Sequence, residues 1–275
     1  MAQRGNKRSR PKPRLGRMER ALRGFFGGLL RLFWWVGLRA AIVGALALAV
    51  GVAYYSSQLP PLEDLLDGRD AGSVTLVDAS DDVFAWRGQQ MGLVHADDVS
   101  PHLVNAIVAT EDRRFYWHFG VDIRGTLRAL LINARAGQTV QGGSSITQQV
   151  AKLIWFDNSR TLTRKILEIP AALALEWKFS KNEILSIYLN RAYLGAGATG
   201  FEAASQRYFG KPASQVTPAE AAMLAGLLRA PSKFAPTNDL NAAQERATVI
   251  VGLMESQGYL TKAQAAQARA HPAVL

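Results

Sequence analysis

Two glutamates, Glu111 in the run EDRRFYWHFG and Glu168 in TRKILE, lie on either side of GGSSITQQVAK and near the cations Lys152, Arg164 and Lys165. One carboxylate of such a set can take a proton from an attacking hydroxyl, while fixed cations stabilise the negative charge that builds on a departing diphosphate. The combination suits attack on a sugar that carries a phosphate leaving group. Neither half suffices alone.

Each residue also has a plainer account. Glu111 follows the apolar run LVNAIVAT, which places it at the C-terminal end of a largely buried helix, where the helix dipole gives a carboxylate no support. Phe115, Tyr116, Trp117 and Phe119 crowd the same segment, and apolar neighbours raise a carboxylate's proton affinity toward that of a working base. A surface glutamate paired with Arg114 at i,i+3 is the alternative, and the residues alone do not separate the two. Glu168 stands at i+4 from Arg164 and i+3 from Lys165, so all three can share a helix face. A solvated ion pair there would contribute only about 0.2–0.5 kcal/mol.

In GGSSITQQVAK, the flexible Gly142 and Gly143 precede the hydroxyls of Ser144, Ser145 and Thr147, the amides of Gln148 and Gln149, and Lys152. Such a cluster at a helix start can donate to phosphate or sugar oxygens, with the free backbone amides contributing. A helix cap followed by a polar face explains the same residues, and without further information it is the better account.

Two motif matches fail on context. GAGATG (Gly195 to Gly200) fits the dinucleotide pattern, but KNEILSIYLNRAYL before it is helical in pattern and no strand precedes it. Ser9-Arg10-Pro11-Lys12 fits S-x-x-K, yet it lies in a basic tail with no K-T-G downstream.

The elements that must position these residues can be read in outline. The chain has 275 residues, 48% of them apolar, and a net charge of +10. Arg4, Lys7, Arg8, Arg10, Lys12, Arg14, Arg17 and Arg20 oppose the single acid Glu19, so residues 1–31 read as a basic cytoplasmic tail. Residues 32–55 are apolar but for Arg39 and would make about 36 Å of helix, enough to span a bilayer. Trp34, Trp35, Tyr54 and Tyr55 read as interfacial anchors, and the positive-inside rule exports everything that follows. A basic block directly before an apolar span is a topology signal and an anionic-lipid contact more often than a nucleic-acid arm. The small-x-small triplets of a signal-peptidase site fall inside the apolar core, which argues against cleavage.

Residues 56–99 read as a Pro- and Gly-rich linker followed by a short hairpin around DASDD. From Ser100 to Leu275 the signals are helical, with starts at Ser100-Pro101, Ser180-x-x-Glu183, Thr217-Pro218-x-Glu220 and Thr261-x-x-Gln264. Stops at Gly120, Gly137, Gly195, Gly210 and Gly258 divide this mainly α domain into roughly eight or nine helices. The chain has no cysteine, and its 4 histidines lack zinc-ligand spacing.

Taken together, EDRRFYWHFG, GGSSITQQ, RKILE and KNEILSIYLN resemble, in order, the motifs of the family 51 peptidoglycan glycosyltransferases, over about Ser100 to Met254. Ser145 stands where the family usually has Thr, Ser186 where it often has Glu, and ERATVIVGL begins Glu-Arg where the family has Arg-Arg. The resemblance implies a lysozyme-like α fold with a small membrane-facing lobe, expected around residues 121–141. There Leu127, Leu130, Leu131 and Ile132 accompany Arg124, Arg128 and Arg135; a plain buried helix is the competing account.

By the same resemblance Glu111 is the general base and Glu168 a second essential carboxylate. Ser144, Thr147, Gln148, Gln149, Lys152, Arg164, Lys165 and Asn190 are expected to bind substrate. The expected substrates are a lipid-linked disaccharide-peptide and the growing glycan, with release of undecaprenyl diphosphate at the inner membrane and no nucleic acid. The resemblance allows for a divalent cation, Mg or Mn, at the diphosphate, for no organic cofactor, and for partners in a cell wall synthesis complex. A lytic glycosidase would need no cationic cluster, and a non-catalytic scaffold would not need both glutamates. Because the chain ends at HPAVL soon after the last motif, it is expected to be either a monofunctional enzyme or the front part of a bifunctional class A penicillin-binding protein. The hairpin favours the second.

Overall fold

The computed structural model describes residues 16–66, 74–78, 83–87, 92–138, 142–157, 159 and 161–275. The basic residues before Gly16, the linker residues 67–73 and the expected hairpin turn at 79–82 lie outside the described residues. The chain divides into two compact units, Met1–Val50 and Gly51–Leu275.

Helix α1 (Arg17–Gln58) begins well before the apolar run expected from sequence. Its stretch Phe25–Gln58 is 34 residues long, with mean hydropathy 2.1 in its most apolar window, and is long and apolar enough to cross a membrane. In the first unit, the Arg39 guanidinium lies 3.2 Å from the centre of the Trp35 ring. The ring face offsets part of the cost of a cation in an apolar stretch.

The second unit starts with the last turns of α1. Tyr54 is exposed, but Tyr55 is buried against Trp155 and Phe156, with ring centres 5.0 and 6.0 Å apart. Tyr55 is therefore a core residue rather than an interfacial anchor. The expected linker also starts docked: Leu59 is buried, as are Leu65 and Leu66 in α2 (Leu62–Leu66). Lys178 donates to the Leu59 carbonyl and Arg191 to that of Leu65, each at 2.6 Å. Strands β1 (Val74–Val77) and β2 (Val83–Arg87) pair antiparallel, with a register shift at Leu76/Val77.

The remainder is helical, as expected: α3 (Pro101–Glu111), α4 (Ile123–Ala136), α5 (Ile146–Trp155), α6 (Leu162–Lys178), α7 (Lys181–Arg191), α8 (Phe201–Phe209), α9 (Pro218–Leu227), α10 (Pro231–Phe234), α11 (Leu240–Ser256) and α12 (Lys262–Ala270). The count exceeds the expected eight or nine because α10 is a single four-residue turn. Ser180, Thr217 and Thr261 close capping boxes with Glu183, Glu220 and Gln264, each satisfying two backbone donors. Ser100 behaves differently. Its hydroxyl donates to the Val216 carbonyl, while Pro101 supplies the first helical residue. Gly137 and Gly210 end α4 and α8 in the left-handed conformation, which costs glycine nothing.

Two packing groups make the core. Helix α9 is apolar all round, and α11 and α3 pack on it; α5 packs on α6 and α7. Buried leucines and isoleucines such as Leu103, Ile107, Leu175, Leu185 and Leu224 each contribute about 1.5–3 kcal/mol. GAGATG is a loop between α7 and α8, closed by a bridge between Tyr193 and Thr199.

Candidate active site

The ends of α3, α9 and α11 meet α4, α5 and α6 around one cleft of about 1430 Å³. Glu111, Ser144, Gln148, Gln149, Lys152, Arg164, Lys165 and Glu168 all line it. Most of the residues singled out by sequence, spread over three motifs, therefore share one cavity.

Glu111 is the last residue of α3, as expected. Desolvation raises its pKa, offset by the hydrogen bond from Gln149 and by the charges of Arg246 and Arg229; Asp112 adds to the rise. Its expected alternative partner is taken: the Arg114 guanidinium binds Asp122, whose carboxylate also caps α4 through Gly125 N at 2.9 Å. Gln149 Nε2 donates to Glu111 Oε2 at 2.8 Å, and Tyr188 on α7 donates to Gln149 Oε1 at 3.1 Å. The neighbouring Asp112 accepts from the Ile146 backbone at 3.1 Å and lies 2.8 Å from His118 Nε2, which ties the end of α3 to the start of α5.

Glu168 is buried in the wall of the same cleft. Arg164 binds its Oε1, and Lys165 reaches Oε2 at 2.6 Å and the Ser144 hydroxyl at 2.5 Å. A buried carboxylate gripped by two cations is not the solvated surface pair that spacing alone permits. Lys152 is partly buried on the cleft wall, and its ammonium has no hydrogen-bond or ion-pair partner among the described residues. Its ammonium can therefore meet an incoming anion without first leaving a partner.

Two expected substrate-binding residues lie elsewhere. Thr147 is fully buried and donates to Glu176 at 2.6 Å, because it faces the core side of α5 with Val150 and Ala151. Asn190 is buried on α7, where it accepts from Val94 N at 3.0 Å and donates to Val94 O at 2.8 Å. It pins the segment before α3 to α7, with Ser186 holding Ala96 N at 2.8 Å. Gln148 lines the cleft, but its amide oxygen serves the Ser145 capping box at 3.0 Å. The capping account of that segment holds, and the capped helix carries Gln149 and Lys152 on its cleft side.

Arg124, Arg128, Arg229 and Arg246 also line the cleft and were not expected there. Arg246 belongs to the ERATVIVGL segment, whose second residue keeps the family's arginine, so that motif carried the signal. Arg229 follows an apolar helix in sequence without a motif, and only the tertiary packing brings it near Glu111.

A divalent cation at the diphosphate would take most of its ligands from phosphate and water rather than from a cage of side chains. Among the described residues no three His, Cys, Asp or Glu side chains form a group able to hold a metal ion. Glu168, the carboxylate nearest the cations, has both oxygens engaged.

The sequence model of the Transglycosylase family matches residues 80–255. Penicillin-binding protein 1A of Aquifex aeolicus is 40% identical over 239 residues, covering 82% of this chain and 32% of that protein. Penicillin-binding protein 1A of Escherichia coli is 41% identical over 217 residues, covering 78% and 26%. A crystal structure of penicillin-binding protein 1A from Haemophilus influenzae aligns with a TM-score of 0.43 and 24% identity, over 74% of this chain and 22% of that one. The chain spans about a third or less of the length of the curated relatives it matches.

Proposed function

The chain belongs to the transglycosylase family, the family 51 glycosyltransferases, and on that premise we propose that it polymerises peptidoglycan glycan strands from a lipid-linked disaccharide-peptide, releasing undecaprenyl diphosphate. The observation that carries the proposal is the cleft itself. It holds a proton-seeking carboxylate, Glu111, together with Lys152 and with Arg164 and Lys165, the last two organised on Glu168.

The acceptor's 4-hydroxyl oxygen attacks the anomeric carbon of the donor, the bond from that carbon to the diphosphate oxygen breaks, and configuration inverts. Glu111 takes the hydroxyl proton; burial raises its pKa, which strengthens it as a base. Charge that accumulates on the departing diphosphate meets Lys152, Arg164 and Lys165, which are in place before the reaction and need no reorganisation. Glu168 keeps Arg164 and Lys165 on one wall. The cleft exceeds the size of an ordinary small-molecule pocket, in keeping with two sugar substrates bound together.

The apolar stretch Phe25–Gln58 would hold this reaction at the inner membrane, with the N-terminus cytoplasmic and the catalytic unit outside. Incubation with labelled lipid-linked disaccharide, followed by gel separation of the glycans, tests the proposal. A ladder of polymers is expected. Cleavage of finished glycan without consumption of the lipid-linked substrate would replace it with a hydrolase.

A further inference from the structure

Tyr188 lies outside the cleft, fully packed in the core on α7, yet its hydroxyl ends a chain of hydrogen bonds that leads to the reacting carboxylate. An ionised carboxylate only accepts, so the end of Gln149 facing Glu111 must be its NH2 group. The amide oxygen then faces Tyr188, which must donate to it. We propose that Tyr188 is a positioning residue: its hydroxyl locks the Gln149 amide in the one orientation that presents a donor to Glu111, and so holds the carboxylate ionised and aimed. The proposal rests on the role of Glu111 as base.

The geometry supports this in two ways. Gln149 sits on the cleft face of α5, next to the packing of α5 on α7, so it can touch both the site and the core. Tyr188 is buried among apolar side chains, and burial followed by the charge of Glu111 pushes its pKa well up, so it stays a donor throughout the working range. The charged groups facing Glu111 are Arg246 on α11, Arg229 beyond α9 and Asp112 beside it. They set the field at the carboxylate, but the hydrogen bond to its side chain comes from Gln149.

Removing a donor from a carboxylate raises its pKa, because the charged form loses more than the neutral one. Tyr188→Phe keeps the ring in the core and releases the amide. In the full chain in detergent micelles, the acid limb of kcat/KM for lipid-linked disaccharide should move to higher pH, with kcat falling about tenfold and KM changing less than about twofold. Infrared difference spectra against Glu111→Gln should show the Glu111 carboxylate titrating at correspondingly higher pH. Gln149→Met should shift it at least as far, and the double variant no further than Gln149→Met alone.

A Glu111 titration unmoved by Tyr188→Phe, or shifts that add in the double variant, would overturn the relay. If Tyr188→Phe fails to fold, the same titration in Gln149→Met decides: an unmoved carboxylate overturns the proposal. A carboxylate that moves while the acid limb stays fixed supports the relay and removes Glu111 from the role of base.

Discussion

Glu111→Gln retains the side chain's shape but cannot accept the hydroxyl proton, so polymerisation should fall about 100-fold or more, read from labelled glycan on a gel. The same change should stabilise the protein near neutral pH. Burial raises the Glu111 pKa, so the folded state binds this proton more tightly than the unfolded chain and is penalised while the group is ionised in both. The melting-temperature advantage of Glu111→Gln should therefore be greatest above the raised pKa and shrink as pH falls into the ordinary glutamate range. Glu168→Ala should behave in the opposite way. It strips the shared acceptor from Arg164 and Lys165, and denaturant unfolding should show a loss of up to about 3 kcal/mol, less than a fully buried triad would lose because Lys165 is 40% exposed. Lys152→Ala, with no partner among the described residues to abandon, should cost activity while the melting temperature stays within a degree or two.

At the level of elements, α4 offers the clearest test. Leu127, Leu130 and Leu131 are 56%, 59% and 60% exposed, while Arg124 and Arg128 line the cleft and Ala129 is the buried residue of the helix. A plain buried helix is ruled out. Arg124 and Arg128 turn to the site and the leucines are left exposed, as a face that rests at an acyl and headgroup boundary would be. In protein beginning at Gly51, Leu127→Asp with Leu131→Asp should abolish flotation with anionic vesicles without lowering the melting temperature. Flotation at parent levels would mean that α4 does not rest on the membrane. Capping boxes were legible in the sequence because their partners are three residues apart. The side on which a helical residue points is written in the periodicity within the motif: Ser145, Gln148, Gln149 and Lys152 follow i, i+3, i+4 and i+7, whereas Thr147 falls on the core side. The family resemblance placed Thr147 and Asn190 in the site, and a motif match does not encode the direction of a side chain. Arg229 and the docking of Leu59 to Leu66 depend on packing between distant segments, which no local pattern reports.

For the whole molecule, the place where the anchor can be removed follows from Tyr55. A cut after Tyr55 would take away a ring buried against Trp155 and Phe156, so protein beginning at Ser56 should melt at a lower temperature than protein beginning at Gly51. Equal melting temperatures would show that this contact contributes nothing. The tie from Asp112 to Ile146 has a consequence of another kind, for the order of events during folding. It joins residues 34 apart, as the bond from Gln149 to Glu111 joins residues 38 apart. Helices with strong local caps can form early, but these closures must wait until α3 and α5 have found each other. On dilution from denaturant, helical ellipticity should return first and polymerising activity later, with no active species before the native state; the catalyst exists only once the chain has finished folding.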